Sequence, residues 1–178
     1  MAGRMRSRLL ERRTVVLEGD LSDRLATELA AQLMTLDATG DDPIALHVNA
    51  VGGTLSAALT LIDTMAALGV PVEAQCVGRA EGPALGVFAC CSRRLAAPHA
   101  RLRLCQPELS AEGGAAELER ALQLHQELVE RFTAALARAT RQPSERIEVD
   151  LAAGRYFELE EAIAYRLVDG PWTKGDGA

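Results

Sequence analysis

The chain has 178 residues, of which 48% are apolar and 3% aromatic, and its formal net charge at pH 7 is −6. This length and apolar content are typical of one compact domain whose core rests on leucine, alanine and valine. Acidic and basic residues are interspersed, and the sequence shows neither the basic stripe nor the aromatic platforms typical of nucleic-acid-binding proteins. No apolar run is long enough to predict a membrane span. We therefore expect proteins or small molecules as partners.

Cysteine usage favours a reducing compartment. The sequence contains four cysteines, Cys76, Cys90, Cys91 and Cys105. No pair has the CxxC spacing and adjacent cysteines rarely form a disulfide, so we expect buried, reduced thiols in a cytoplasmic protein. The spacing of the last three cysteines with His99 matches no common structural zinc site, and we expect no metal and no cofactor.

Strands and helices are predicted to alternate along most of the chain. The predicted elements are a strand at 14–17, a helix at 21–36, a strand at 44–48, a helix at 54–68, a strand at 72–77, a helix at 83–91, a strand at 102–105, and helices at 118–136, 143–150 and 158–167. Helical spacing of leucines and short apolar runs between turn residues indicate these elements. The turns Gly52-Gly53 and Gly82-Pro83 each connect a strand to a helix, and Asp20 and Ser22 are candidate caps of the first helix.

This alternation predicts an α/β domain in which βαβ units form a mainly parallel sheet under helices. We expect a basic N-terminal segment at 1–13, one domain at 14–172 and a flexible tail at 173–178. The N-terminal segment lacks the apolar core of a signal peptide. No second domain and no internal repeat is predicted.

Seven short segments carry the strongest signal for a family. They are SRLLERRTVVL at 7–17, NAVGG at 49–53, IDTM at 62–65, LCQP at 104–107, TRQP at 140–143, ERIEVD at 145–150 and AIAYRLVD at 162–169. In the same order they resemble SRLLKERIIFL, NSPGG, YDTM, IHQP, HTGQP, EKIERD and EALEYGLVD of the Clp protease proteolytic subunit (ClpP) family. The resemblance covers residues 7–172 and implies a ClpP/crotonase-type spiral of βαβ units with a protruding handle helix.

The resemblance places the catalytic triad of the family on three positions of this sequence. The serine of "GQAASMGA" corresponds to Gly82, the histidine of "HQP" to Cys105, and the aspartate of "ERD" to Asp150, which is retained. No serine occurs at 57–91 and no histidine at 100–124, so the loss does not depend on where gaps are placed. Peptide hydrolysis by this mechanism needs a nucleophile and a base. We therefore expect no serine peptidase activity.

The oxyanion hole is also expected to be incomplete. The resemblance assigns its two donors to the backbone N–H groups of Gly53 and Pro83, and proline has no N–H. Proline is also favoured at the first position of a helix. The Gly82-Pro83 pair is therefore equally typical of a simple helix start.

For assembly, the resemblance implies a ring, expected to be heptameric, of this chain alone or with active ClpP paralogues. Docking of an ATP-driven unfoldase is expected to be weak or absent, because Ala45, His47 and Ala67 replace aromatic residues of the family's docking pockets. Val149 replaces an arginine that helps to pair two rings in relatives. The segment 108–117 resembles the strand that precedes the handle helix.

Two other kinds of chemistry stay open. The fold is shared with crotonases, so the cleft could act on an acyl or thioester substrate through Glu81, with Gly53 as an oxyanion donor; Glu81 is equally typical of a solvated loop carboxylate. Alternatively, Cys105 could be a nucleophile facing Asp150. A cysteine without a nearby histidine is not expected to have a lowered pKa, which favours an inert thiol.

Overall fold

The computed structural model describes residues 2–173, and the side chains from residue 5 onwards. The elements are α1 (Ala2–Glu11), β1 (Thr14–Gly19), α2 (Asp23–Asp37), β2 (Ile44–Val51), α3 (Leu55–Ala67), β3 (Val72–Glu81), α4 (Pro83–Ala89), β4 (Arg93–Ala96), β5 (Arg101–Arg103), α5 (Ala115–Thr140), α6 (Ser144–Ala153), β6 (Tyr156–Phe157), α7 (Leu159–Ala164) and β7 (Gly170–Pro171). Apart from its first residue, the tail predicted at 173–178 lies outside the described residues.

The sheet is mainly parallel, which confirms the predicted α/β class. Its strands follow the order β1-β2-β3-β4-β7, all in parallel. Near its carboxyl end, β3 also pairs in parallel with β5, and β5 pairs antiparallel with β6. Since β3 pairs with both β4 and β5, its carboxyl end lies where the sheet divides. This division creates the space in which the candidate site lies.

Helix starts follow the capping chemistry of the sequence. Of the two candidate caps of α2, Ser22 is the cap, and its Oγ accepts a hydrogen bond from the N–H of Leu25 at 3.3 Å. In the same way Thr54 caps α3 by accepting from the N–H of Ala57 at 3.1 Å. A capping hydroxyl of this kind satisfies one of the free N–H groups of the first helical turn. Asp20 instead lies at the cleft described below.

The long helix α5 has two different halves. Residues 115–131 are mostly exposed, whereas Phe132 and Leu136 in the second half are fully buried. Phe132 packs so closely on Gly86 of α4 that any side chain at Gly86 would overlap its ring. The second half therefore anchors α5, and the exposed first half has the character expected of a handle.

The segment before α5 differs from the prediction. Residues 104–114 form no strand, and the helix begins at Ala115, inside the segment 108–117 that resembled a strand. A strand needs a partner for its backbone N–H and C=O groups, and the single chain offers none there. None of the described helices is both long and apolar enough to cross a membrane.

Candidate functional site

The two predicted turns meet at the carboxyl ends of β2 and β3. The N–H of Gly52 donates to the carbonyl of Glu81 at 3.1 Å, and the carbonyl of Gly52 accepts from the N–H of Ala84 at 3.3 Å. A cleft of about 460 Å³ opens beside these turns. Its lining includes Gly53, Glu81, Pro83, Arg103, Cys105 and Glu108. Ligands of open parallel sheets typically bind outside the carboxyl ends of the strands, as this cleft does.

Gly82 and Cys105 are neighbours in the structure. A Cβ atom added to Gly82 would lie 3.1 Å from the Sγ atom of Cys105. Gly82 is also tied to β5, since its N–H donates to the carbonyl of Arg103 at 3.0 Å. The structure therefore brings together the two positions at which the resemblance expects a nucleophile and a base.

The thiol of Cys105 is poorly suited to either role. Burial raises its pKa above the ordinary value of a cysteine, an effect that the nearby guanidinium of Arg103 only partly opposes. A thiol with a raised pKa is mainly protonated at neutral pH, and only the thiolate is an effective nucleophile.

Asp150 is not among the residues that line the cleft, and its carboxylate has three other partners. Its side chain is 7% exposed. It accepts hydrogen bonds from Tyr165 Oη at 2.7 Å, Arg146 Nε at 3.0 Å and Arg155 Nη1 at 3.2 Å. Although burial opposes ionisation, these donors hold the pKa of the carboxyl below its usual value. The carboxylate joins α6 to Tyr165, which follows α7, and to Arg155 before β6; none of the hydrogen bonds of the described residues joins Asp150 to Cys105.

The register of β5 and β6 indicates which residue lies across from Cys105. The antiparallel register of β5 and β6 pairs Leu102 with Phe157 and Arg103 with Tyr156. Continuing this register past the strands places Cys105 opposite Gly154. Gly154 has no side chain, and a Cβ atom added there would lie 3.0 Å from Nη2 of Arg103. The sequence motifs did not predict that Gly154 lies at this position, because strands as short as β5 and β6 show no hydrophobic alternation from which their register could be inferred.

One backbone donor of the predicted pair is available. Gly53 has φ +110°, a Cβ added to it would lie 2.5 Å from the Cβ of Leu21, and its N–H donates to no acceptor among residues 2–173. Pro83, the first residue of α4, has no N–H. The N–H of Ala84, the next residue, is used by Gly52. Of the two donors that the resemblance assigns to an oxyanion hole, only Gly53 is therefore available.

Glu81 lines the cleft at the end of β3. Its side chain is half-buried and forms no ion pair with any described residue. The four cysteines are free thiols, and within the described chain no three His, Cys, Asp or Glu side chains lie close enough together to hold a metal ion.

Comparison with protein families agrees with the architecture. The model of the Clp protease family matches residues 2–174, which is almost the whole chain. The matched range contains every described strand and helix, together with the cleft at the ends of β2 and β3. The chain belongs to the Clp protease family.

Proposed function

We propose that this chain is a catalytically inactive ClpP-like subunit with a structural or regulatory role in a Clp-type ring. The observation that carries the proposal is the proximity of Gly82 to the Sγ atom of Cys105. These are the two positions at which the resemblance expects a nucleophile and its base. Glycine has no nucleophilic atom, and a protonated thiol cannot accept the proton.

The remaining groups of the cleft cannot replace what is missing. Loss of a single oxyanion donor costs about 10²–10³ in rate, and Pro83 lacks that donor. Loss of triad members costs several further orders of magnitude, although such losses are not additive. Gly154, opposite Cys105, provides no carboxylate to orient a base. We therefore expect no peptide hydrolysis by this chain.

Assembly is the function that the fold can still perform. Clp protease family members form oligomeric rings, and this chain keeps features suited to self-association. A groove of about 1040 Å³ runs between α3, α5 and α6, and the exposed half of α5 carries Leu118, Leu122 and Leu124, each between 43% and 57% exposed. Exposed apolar surface of this kind typically marks a protein interface. We propose a heptameric ring, alone or with active ClpP paralogues, in the cytoplasm.

Docking of an unfoldase is proposed to be weak or absent. Ala45 and Ala67 lack the aromatic rings of the family's docking pockets, and His47 packs edge-on against Trp172 with 6.0 Å between ring centres. The histidine is therefore engaged within its own chain.

The proposal is tested by native mass spectrometry and by activity assays on the same sample. We expect a ring of this chain alone or together with a co-expressed active Clp subunit. We expect no turnover of a fluorogenic peptide and no labelling by a fluorophosphonate, with an active Clp protease as the positive control. A monomer that captures no Clp subunit would contradict the assembly role, and covalent labelling of the pure chain would contradict the loss of catalysis.

The alternative is an enzyme or binding protein for an acyl or thioester ligand. It is favoured by the free N–H of Gly53 and the unpaired carboxylate of Glu81, which line the same cleft. An acyl-CoA that raises the melting temperature of the native protein, but not that of a Glu81→Gln variant, would support it. No shift across a panel of acyl-CoA chain lengths would contradict it.

A further inference from the structure

Three arginines without an acidic partner share one face of the sheet beside the cleft. Arg79 on β3 and Arg101 on β5 are directly opposite each other, and Arg103 lies two residues further along β5. The intervening Ala80 and Leu102 are buried, so the three arginine side chains extend from the other, outer face. None of the three guanidinium groups forms an ion pair with a described residue.

This cluster is unfavourable for the free protein. Like charges directly opposite each other on neighbouring strands destabilise a sheet, and Arg79 and Arg101 are such a pair. Glu81 lies across from Arg103 but does not approach within ion-pair distance. The chain as a whole is acidic, with a net charge of −6, so its composition does not explain the cluster. A bound anion would remove the repulsion.

Tyr156 of β6 holds two of the guanidinium groups in place. The Cζ atoms of Arg101 and Arg103 lie 5.5 Å and 4.8 Å from the centre of its ring, which is 49% exposed. Arg103 uses its Nε to donate to the carbonyl of Gly154 at 3.3 Å, which leaves its terminal nitrogens free. The guanidinium groups of Arg101 and Arg103 are thus both held against the half-exposed ring of Tyr156.

We propose that Arg79, Arg101 and Arg103 bind the phosphate group of a small phosphorylated ligand. A phosphate group has several oxygens and can accept from more than one guanidinium fork, whereas a single arginine satisfies a carboxylate. Arg103 also lines the cleft, so the rest of the ligand extends towards Glu81 and Cys105. The site does not depend on whether the chain hydrolyses peptides.

Isothermal titration calorimetry with inorganic phosphate and pyrophosphate, at constant ionic strength, tests the site on the full-length protein. We expect saturable binding that weakens about tenfold or more in Arg101→Gln and in Arg103→Gln, because each change removes charged hydrogen bonds. Arg101 is exposed, so its replacement leaves the fold intact. Arg101→Lys is expected to bind with intermediate affinity, since lysine keeps the charge without the fork.

The matched control is Arg120→Gln, which makes the same charge change on the exposed half of α5. The proposal would be overturned by no saturable binding of either phosphate, by the same weakening in the Arg120→Gln control, or by equal affinity for acetate at the same ionic strength. Saturable binding that Arg101→Gln leaves unchanged would also overturn it, because the ligand would then occupy another surface. Comparing inorganic phosphate with nucleoside monophosphates then shows whether the cleft adds affinity for an organic group.

Discussion

Asp150 is predicted to stabilise the fold rather than to serve chemistry, and Asp150→Asn tests this. The buried carboxylate accepts from Tyr165, Arg146 and Arg155, and hydrogen bonds to a charged group contribute roughly 1.5–3 kcal/mol each. Asparagine keeps one acceptor oxygen, and the side chains of Arg146 and Arg155 are 52% and 30% exposed, so both can turn to water. We therefore expect a loss of about 2–3 kcal/mol at pH 7, below the 3–5 kcal/mol typical of a fully buried broken pair.

The pH dependence of this loss has a defined sign. Because the pKa of Asp150 is lower in the folded state than its ordinary value of 3.8, its stabilisation is fully present above about pH 4 and is lost as the pH falls through the folded value. The difference between wild type and Asp150→Asn should therefore be complete at pH 7 and shrink towards pH 2.

Urea denaturation at fixed protein concentration measures both effects. The control is Glu148→Gln, which removes the same charge from an exposed position of the same helix and is expected to leave the midpoint unchanged. A loss below about 1 kcal/mol at pH 7, less than a single charged hydrogen bond, would refute the reasoning. So would a difference that stays constant down to pH 2.

Three further predictions concern packing, a partly exposed ion pair and the cleft thiol. Gly86→Ala should lower the melting temperature strongly, since its Cβ would overlap Phe132 and overpacking costs about 1–3 kcal/mol or more; an unchanged melting temperature would contradict this contact. Arg94→Leu should destabilise by about 2–3 kcal/mol, because it removes a bidentate pair with Asp169 at 2.6 Å and 3.0 Å and three hydrogen bonds to backbone carbonyls, while the carboxylate of Asp169 is 39% exposed and can turn to water; calorimetry measures the loss. Iodoacetamide should alkylate Cys105 more slowly than it alkylates the thiol of free glutathione at pH 7.5, and the rate should rise at alkaline pH. Peptide mass mapping measures the rate, and alkylation as fast as that of glutathione would contradict the raised pKa of Cys105.

The predicted helices and the longer strands followed from hydrophobic periodicity, and the elements that were missed lack it. β4 has the sequence RRLA, with two charged residues, and β6 and β7 have two residues each, too few to show alternation. α1 lies in the expected basic N-terminal segment, for which no helix was predicted; among its described side chains only Leu9 and Leu10 are half-buried. Tertiary contacts define such elements, and a local pattern does not encode them.

The sequence also predicted some features of the candidate site and not others. The proximity of Gly82 and Cys105 followed from the family motifs and not from periodicity, since Cys105 comes after the three-residue strand β5. The hydrogen-bond partners of Asp150 did not follow from the motifs, and the residue across from Cys105 depends on the register of the short pairing between β5 and β6. That register places Gly154 opposite Cys105, although the sequence ERIEVD at 145–150 resembles the family motif that ends in the catalytic aspartate. The three arginines were not predicted because they come together only when β5 pairs with β3.

The turn between β3 and α4 shows how the proposed loss of catalysis would be compatible with retention of the fold. Gly82 has φ +56° and ψ −130°, a conformation that costs other residues roughly 1–3 kcal/mol. A side chain there would also meet the Sγ atom of Cys105 at 3.1 Å. Pro83 occupies the first position of α4, where its fixed φ suits the helix and its missing N–H removes no helical hydrogen bond. Glycine and proline therefore both favour folding at this turn, while they remove the hydroxyl and the N–H that acyl transfer requires. A subunit kept for assembly would gain stability from the same two residues that are proposed to prevent hydrolysis, which supports the proposed role.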